Sequence, residues 1–151
     1  MSDTPEPRQL LGQALMLAGR DFQSRLDDDL RRRDVTGISA RHRAIFLHLG
    51  RHGPSRAVDL ARSAGVRPQS MMKIIHELES LDLLERRTDP ADSRAKLVDF
   101  SPDGMRLIDE LSRSTETVWQ HYVEIVGEEN LERMVHQLNI LAQEGEKNHE
   151  S

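Results

Sequence analysis

Apolar residues recur along this chain at two different periods, and the change of period divides it. From Arg8 to about Arg33, Leu11, Leu15, Ala18, Phe22, Leu26 and Leu30 fall four, three, four, four and four residues apart. That spacing lays one stripe along a long amphipathic helix. Gly37 breaks the pattern. Ser39 is placed to cap a second helix carrying Ile45, Phe46 and Leu49. Gly53-Pro54-Ser55 closes that helix. A short helix over residues 56–64 follows, then Gly65. A further helix runs from Pro68, a residue suited to a first turn, to about Leu81.

Then the period shortens. Leu84–Thr88 and Lys96–Phe100 read as two short strands, and the turn-forming segment Asp89-Pro90-Ala91-Asp92-Ser93-Arg94 between them makes a β-hairpin. Pro102 restarts helical structure, with Leu107, Leu111, Val118, Tyr122 and Ile125 or Val126 on one stripe. Gly127 separates this helix from a last one carrying Leu131, Met134, Val135, Leu138, Leu141 and Ala142. Residues 1–7 read as a disordered tail, residues 8–145 as one domain and residues 146–151 as a polar tail. No repeat or low-complexity segment interrupts this order.

Residues 57–76 fit the physical template of a helix-turn-helix. Ala61 is small where two helices must cross closely, and Gly65, four positions later, tolerates the positive φ of the turn. Leu60, Ala64, Val66, Met71 and Ile74 supply the shared apolar face. Any two-helix corner with a glycine turn would show the same features. A β-hairpin directly after the second helix is what turns this order into a winged helix, whose second helix lies in the DNA major groove.

Composition narrows the function. The 151 residues hold no cysteine, which excludes disulfides, thiolate metal clusters, a cysteine nucleophile and a thiol oxidant sensor. The longest run without a charged residue, Gln9–Gly19, is far short of the roughly 20 apolar residues that span a membrane. No membrane partner is expected. The acidic, proline-bearing N-terminus does not fit a secretory signal, so the expected location is the cytoplasm. The net charge of −5 conceals an asymmetry: from Arg41 to Lys96 eleven basic residues face seven acidic ones. A basic middle between acidic flanks points to a polyanionic partner, although an ordinary solvated surface could carry the same excess.

On these residues the chain resembles the MarR-type winged-helix regulators of bacteria and archaea. The most specific match is Asp89-Pro90-Ala91-Asp92-Ser93-Arg94-Ala95-Lys96 followed by Phe100-Ser101-Pro102-Asp103-Gly104. The family's wing typically shows Asp-x-Arg and then Leu-Thr-x-x-Gly, for which Phe-Ser stands here. Ile38-Ser39-Ala40-Arg41-His42 resembles the family's Leu-Thr-x-x-Gln, with His42 in place of the glutamine. Leu60-Ala61 to Val66 and Leu78 to Arg86 match as well, so the likeness covers roughly residues 8–145. It implies a mainly α fold with a small β-hairpin wing. The winged helix would occupy residues 38–101, flanked by N- and C-terminal dimerisation helices over 8–37 and 102–145.

The first turns of the second helix would face the groove floor with Arg67, Pro68, Gln69, Ser70 and Lys73. Arginine pairs with guanine O6 and N7, glutamine with adenine N6 and N7, and Ser70 and Lys73 suit phosphates better. Met71 belongs in the core; Met72 either touches a thymine methyl group or faces solvent. The resemblance implies that Arg94 reaches the minor groove and that Asp92 braces the wing. The alternative for them is a surface ion pair worth at most about 1 kcal/mol. Arg86, Arg87 and Lys96 on the hairpin are either phosphate contacts or solvated strand faces.

The flanking helices must bury their stripes against something, and a second copy would do this. A dimer sets two reading helices about 34 Å apart, which predicts a pseudo-palindromic site in double-stranded DNA. The family also implies a small, often aromatic or phenolic, effector in a crevice between the dimerisation helices and the winged helix. Phe22, Arg43, Phe46 and Met105 are its candidate residues, with plain core packing as the alternative for the two Phe and Met105. The expectation is a homodimeric transcriptional regulator, a repressor released by that effector. The rivals are a winged helix used only for protein contacts, and a DNA-binding regulator with a metal or no effector.

Other chemistry is set aside. His48 and His52 stand four apart, a spacing able to bind zinc, but no HExxH pattern accompanies them. His42 and His76 read as polar packing or groove-facing groups. No cofactor, metal site or catalytic group is expected, since no Ser/His/Asp spacing, phosphate loop or dinucleotide fingerprint stands out.

Overall fold

The computed structural model of the chain describes residues 6–149, of which residues 146–149 only as helical backbone. The first five residues of the expected N-terminal tail and the last two of the expected polar tail lie outside that range. The described order is α1 (Pro7–Arg32), α2 (Ala40–His52), α3 (Ala57–Ala64), α4 (Pro68–Ser80), β1 (Leu84–Asp89), β2 (Asp92–Phe100), α5 (Pro102–Val126) and α6 (Glu128–His149). This is the mainly helical winged-helix architecture expected from the chain's periodicity.

The central module is organised around one apolar cluster. Ile45 and Leu49 from α2, Leu60 from α3, Met71, Ile75 and Leu78 from α4, and Leu84 and Val98 from the strands are all buried in it. The α3–α4 corner follows from its sequence. Gly65 adopts φ +64, and the Val66 N–H then donates to the Ala61 carbonyl at 3.0 Å, closing the end of α3. Ala61 is buried at that crossing. Met72 is partly buried against the same cluster, so it packs the core and is not free in solvent.

The hairpin is tighter than the turn residues suggested. Leu84↔Phe100 through Thr88↔Lys96 pair in register, and Asp89 then pairs with Asp92. Only Pro90 and Ala91 remain as the turn, while Ser93, Arg94 and Ala95 have no opposite partner and bulge from β2. Ser55 adds an antiparallel bridge to Val98, with N–H···O distances of 3.0 and 2.8 Å. The wing is thereby tied to the segment before α3.

A tight corner joins the hairpin to α5. The Ser101 N–H donates to the Leu83 carbonyl at 3.2 Å, and its hydroxyl donates to the Asp82 carbonyl. The same hydroxyl accepts the Gly104 N–H at 2.9 Å and caps α5. A Cβ on Gly104 would stand 2.0 Å from the Leu83 carbonyl oxygen, so only glycine fits there.

Outside the module, the α1 stripe divides. Leu26 and Leu30 are buried, as is Val118 on α5, the helix that α1 packs against. Leu11 and Leu15 are exposed instead. α1 ends at Arg32 because Asp34 turns left-handed (φ +60) and the Val35 N–H reaches back to the Leu30 carbonyl at 2.9 Å. After Gly127, α6 buries Leu131 but leaves Met134, Val135, Leu138 and Leu141 exposed.

Candidate nucleic-acid interface

Helix α4 presents two contrasting faces. Met71, Ile74, Ile75 and Leu78 are buried, and Gln69, Ser70 and Lys73 lie on the exposed side at helical neighbour spacing. Arg67 precedes the helix in extended backbone (φ −67, ψ 146) and is exposed. Among the described residues none of these four side chains has a hydrogen-bond or ion-pair partner. A buried apolar face fixes the helix while its polar face stays available, which is the arrangement direct base readout requires.

Arg94, at the wing, is a further free cation among the described residues. Its backbone N–H donates to the Asp92 carboxylate at 3.0 Å, which shapes the bulge, and its guanidinium has no protein partner among the described residues. Asp92 therefore shapes the wing tip locally. Asp92 also lies 3.9 Å from the Arg56 guanidinium, but the closer hold on the wing is Asp89, which the sequence did not single out. Its Oδ2 accepts from Nη2 and Nε of Arg56 at 2.6 and 3.0 Å, and its Oδ1 accepts from the Ala91 N–H at 2.8 Å. The Arg56 guanidinium, and after it the Ala91 N–H, hold the Asp89 carboxyl below the ordinary carboxylate range. The signal for it was present in an aspartate opening the Asp-Pro-Ala turn.

The remaining basic candidates are engaged. Arg86 donates to both carboxylate oxygens of Glu79 on α4, at 2.5 and 3.1 Å. Arg87 pairs with Asp99 across the hairpin at 2.7 Å, and Lys96 donates to the Thr88 hydroxyl at 3.0 Å. The structure thus separates Arg67, Lys73 and Arg94, whose charges are free, from Arg86 and Arg87, whose charges are neutralised by a neighbour.

Behind the module a cleft of about 770 Å³ opens between α1, α2 and α5. Phe22, Arg43, Phe46, Leu111 and Trp119 are among its walls. Met105, the fourth candidate, is exposed and does not line it. Arg43 donates to Asp27 at 2.7 Å and to Gln23, whereas its Nε is buried without a partner. Beside the cleft, Tyr122 donates to Asp21 at 2.7 Å and Arg25 donates to the same oxygen at 2.7 Å, joining α5 to α1. Burial, then the Asp21 carboxylate, pushes the Tyr122 hydroxyl up to about 12, and Arg25 holds Asp21 low. The rings of His48 and His52 lie 4.5 Å apart, but among the described residues no three ligating side chains gather to hold a metal ion. No helix of the described residues is long and apolar enough to cross a membrane.

Residues 36–95, from the loop before α2 to the wing, match the model of the MarR family. Over those residues the chain is similar to MarR-family winged helix-turn-helix proteins. No curated protein matches it in sequence. Solved structures match its fold over nearly its whole length. Transcriptional regulator Tm0710 from Thermotoga maritima aligns with a TM-score of 0.64 at 22% identity, covering 95% of this chain and 99% of its own. NadR in complex with 4-hydroxyphenylacetate aligns at 0.69 and 20% identity, covering 95% and 94%. CouR from Rhodococcus jostii RHA1, bound to p-coumaroyl-CoA, aligns at 0.70 and 22% identity, covering 87% and 91%. Helices α1, α5 and α6 fall outside the family match, and there the likeness is one of fold.

Proposed function

We propose that this chain is a homodimeric repressor that reads a two-fold related DNA site and is released by a small aromatic or phenolic acid. The observation that carries the DNA reading is the separation of charges. Arg67, Gln69, Ser70 and Lys73 on α4 and Arg94 on the wing are exposed and unpaired among the described residues, whereas nearby Arg56, Arg86 and Arg87 are bound to carboxylates. Free guanidinium groups at the start of a helix and at the tip of a wing suit a major groove and its adjacent narrow minor groove. Leu11 and Leu15 on α1 and Leu138 and Leu141 on α6, exposed in the single chain, support pairing with a second copy. The aromatic walls of the cleft and the unpartnered Nε of Arg43 favour a planar acid as effector. The neighbour solved with 4-hydroxyphenylacetate supports the same class, and the one bound to p-coumaroyl-CoA shares the phenolic ring with it.

The deciding experiment selects binding sites from a random duplex pool with the purified chain and repeats the binding at two salt concentrations. The expected result is a two-fold related site with half-sites about one helical turn apart, bound more weakly as salt rises. No enriched site, or binding indifferent to salt, would overturn the reading and favour a winged helix used for protein contacts.

A further inference from the structure

A directed chain of hydrogen bonds joins the first turn of α2 to α4. The Ser39 backbone N–H donates to Nδ1 of His42 at 3.2 Å. A ring nitrogen that accepts carries no proton, so neutral His42 holds its proton on Nε2. Nε2 lies 3.3 Å from Oε2 of Glu77 on α4 and donates to it. Arg41 donates to the same oxygen at 2.8 Å. His42 is only 5% exposed, so water has little access to replace it. Glu77 stands on the helix that carries Gln69, Ser70 and Lys73 on its open face.

We infer that His42 is a positioning residue for the reading helix, acting through Glu77; the inference rests on the proposed DNA reading. Met71, Ile75 and Leu78 hold α4 against the core, but apolar contact is non-directional and leaves a helix free to rotate or slide by small amounts. Arg86 restrains α4 directionally from the hairpin side through Glu79, and the hydrogen bond of fixed tautomer from His42 to Glu77 does so from the α2 side. The same turn of α2 presents Ala40, Arg43 and Ala44 to the cleft. His42 therefore sits where the cleft wall and the reading helix share a support.

The test compares affinity for the selected operator with affinity for an unrelated duplex of equal length, at one salt concentration. His42→Ala is expected to weaken operator binding about tenfold while leaving non-specific binding nearly unchanged. His42→Gln is expected to restore operator binding, because a glutamine amide accepts from the Ser39 N–H and donates to Glu77. Glu77→Ala, at a half-buried position that threatens the fold less, is expected to lose the same selectivity. Charge alone predicts the opposite for it, since removing a carboxylate should tighten binding to both duplexes. Nitrogen-15 spectra of the His42 ring should show the proton on Nε2. Operator affinity unchanged in Glu77→Ala, or His42→Gln no better than His42→Ala, would overturn the inference, as would a proton on Nδ1. A wild-type chain that binds no DNA would overturn the proposed function and this inference with it. Wild-type binding with unaltered variants overturns the inference alone.

Discussion

Arg56 and Asp89 meet at the base of the wing, with Nη2 of the arginine 2.6 Å from Oδ2 of the aspartate. Arg56 immediately precedes α3, and Asp89 ends β1. The pair therefore fastens the hairpin to the helix-turn-helix at the point where the chain turns towards Arg94. The Ser55–Val98 bridge reinforces the same junction through the backbone.

This arrangement predicts that Arg56 and Arg94 act as one unit. Arg94→Ala should weaken binding to every DNA sequence and lower the salt slope by about one. Arg56→Ala should leave the fold intact, release the wing, and weaken binding by a similar factor. In the double variant the two losses should not add, because a loosened wing no longer delivers Arg94. Filter binding across a salt series measures all three. Additive losses would show that Arg56 contacts DNA on its own account.

Gly104 should tolerate nothing larger. The Leu83 carbonyl that a Cβ would meet at 2.0 Å already accepts the Ser101 N–H, and backbone cannot swing aside as a side-chain end can. Gly104→Ala is expected to destabilise the chain by about 2–3 kcal/mol, read from urea unfolding. A change below the error of that measurement would mean that the corner between β2 and α5 yields easily.

These two corners show what the residues disclosed and what they withheld. The helix stripes, Gly65 at its left-handed turn and the Ser39 cap were legible because each is a local preference of a few adjacent residues. The wing's Asp-x-Arg pattern drew attention to Asp92, which stands 3.9 Å from Arg56, whereas Asp89 makes the close contact at 2.6 Å. Its partner Arg56 lies 33 residues away, and no local pattern links them. Arg86 and Arg87 were ambiguous for the same reason. Their neutralisation by Glu79 and Asp99 depends on a register set by a two-residue turn, Pro90-Ala91, that composition left longer. Met105 carried the right chemistry for the cleft at a position that the α5 rotation turns outward.

Acid should loosen the junction of α1 with α5. The Asp29 carboxylate is buried and accepts from Arg33 at 2.7 Å and Arg32 at 3.1 Å, and Arg33 is the main cause holding it below the usual range. A depressed carboxylate contributes stability in full above its unfolded value of about 3.9 and loses it as pH falls through the folded value. Melting temperature should therefore change little on this account from pH 7 to about 5 and decline below about pH 4. Asp29→Asn should melt lower at pH 7, and the gap to wild type should close in acid. A gap independent of pH would assign the effect to packing.

The apolar ends of α1 and α6 give the last prediction. Leu15 and Leu138 are 45% and 40% exposed, on helices that otherwise pack against α5. A lone exposed leucine is ordinary. A run comprising Leu11, Leu15 and Met16 on one helix and Met134, Leu138 and Leu141 on another is not, because no solvated helix needs it. Leu138→Glu combined with Leu15→Glu should convert a dimer into a monomer in sedimentation. The central module, whose core shares no residue with these faces, should keep its helical signal. The monomer should still bind a single half-site through α4 and Arg94, but operator affinity should fall by orders of magnitude, since the second half-site no longer binds as part of the same molecule. A variant that stays dimeric would mean that other surfaces hold the copies together. A variant that is monomeric yet binds the full operator as before would show that each copy reads its half-site independently.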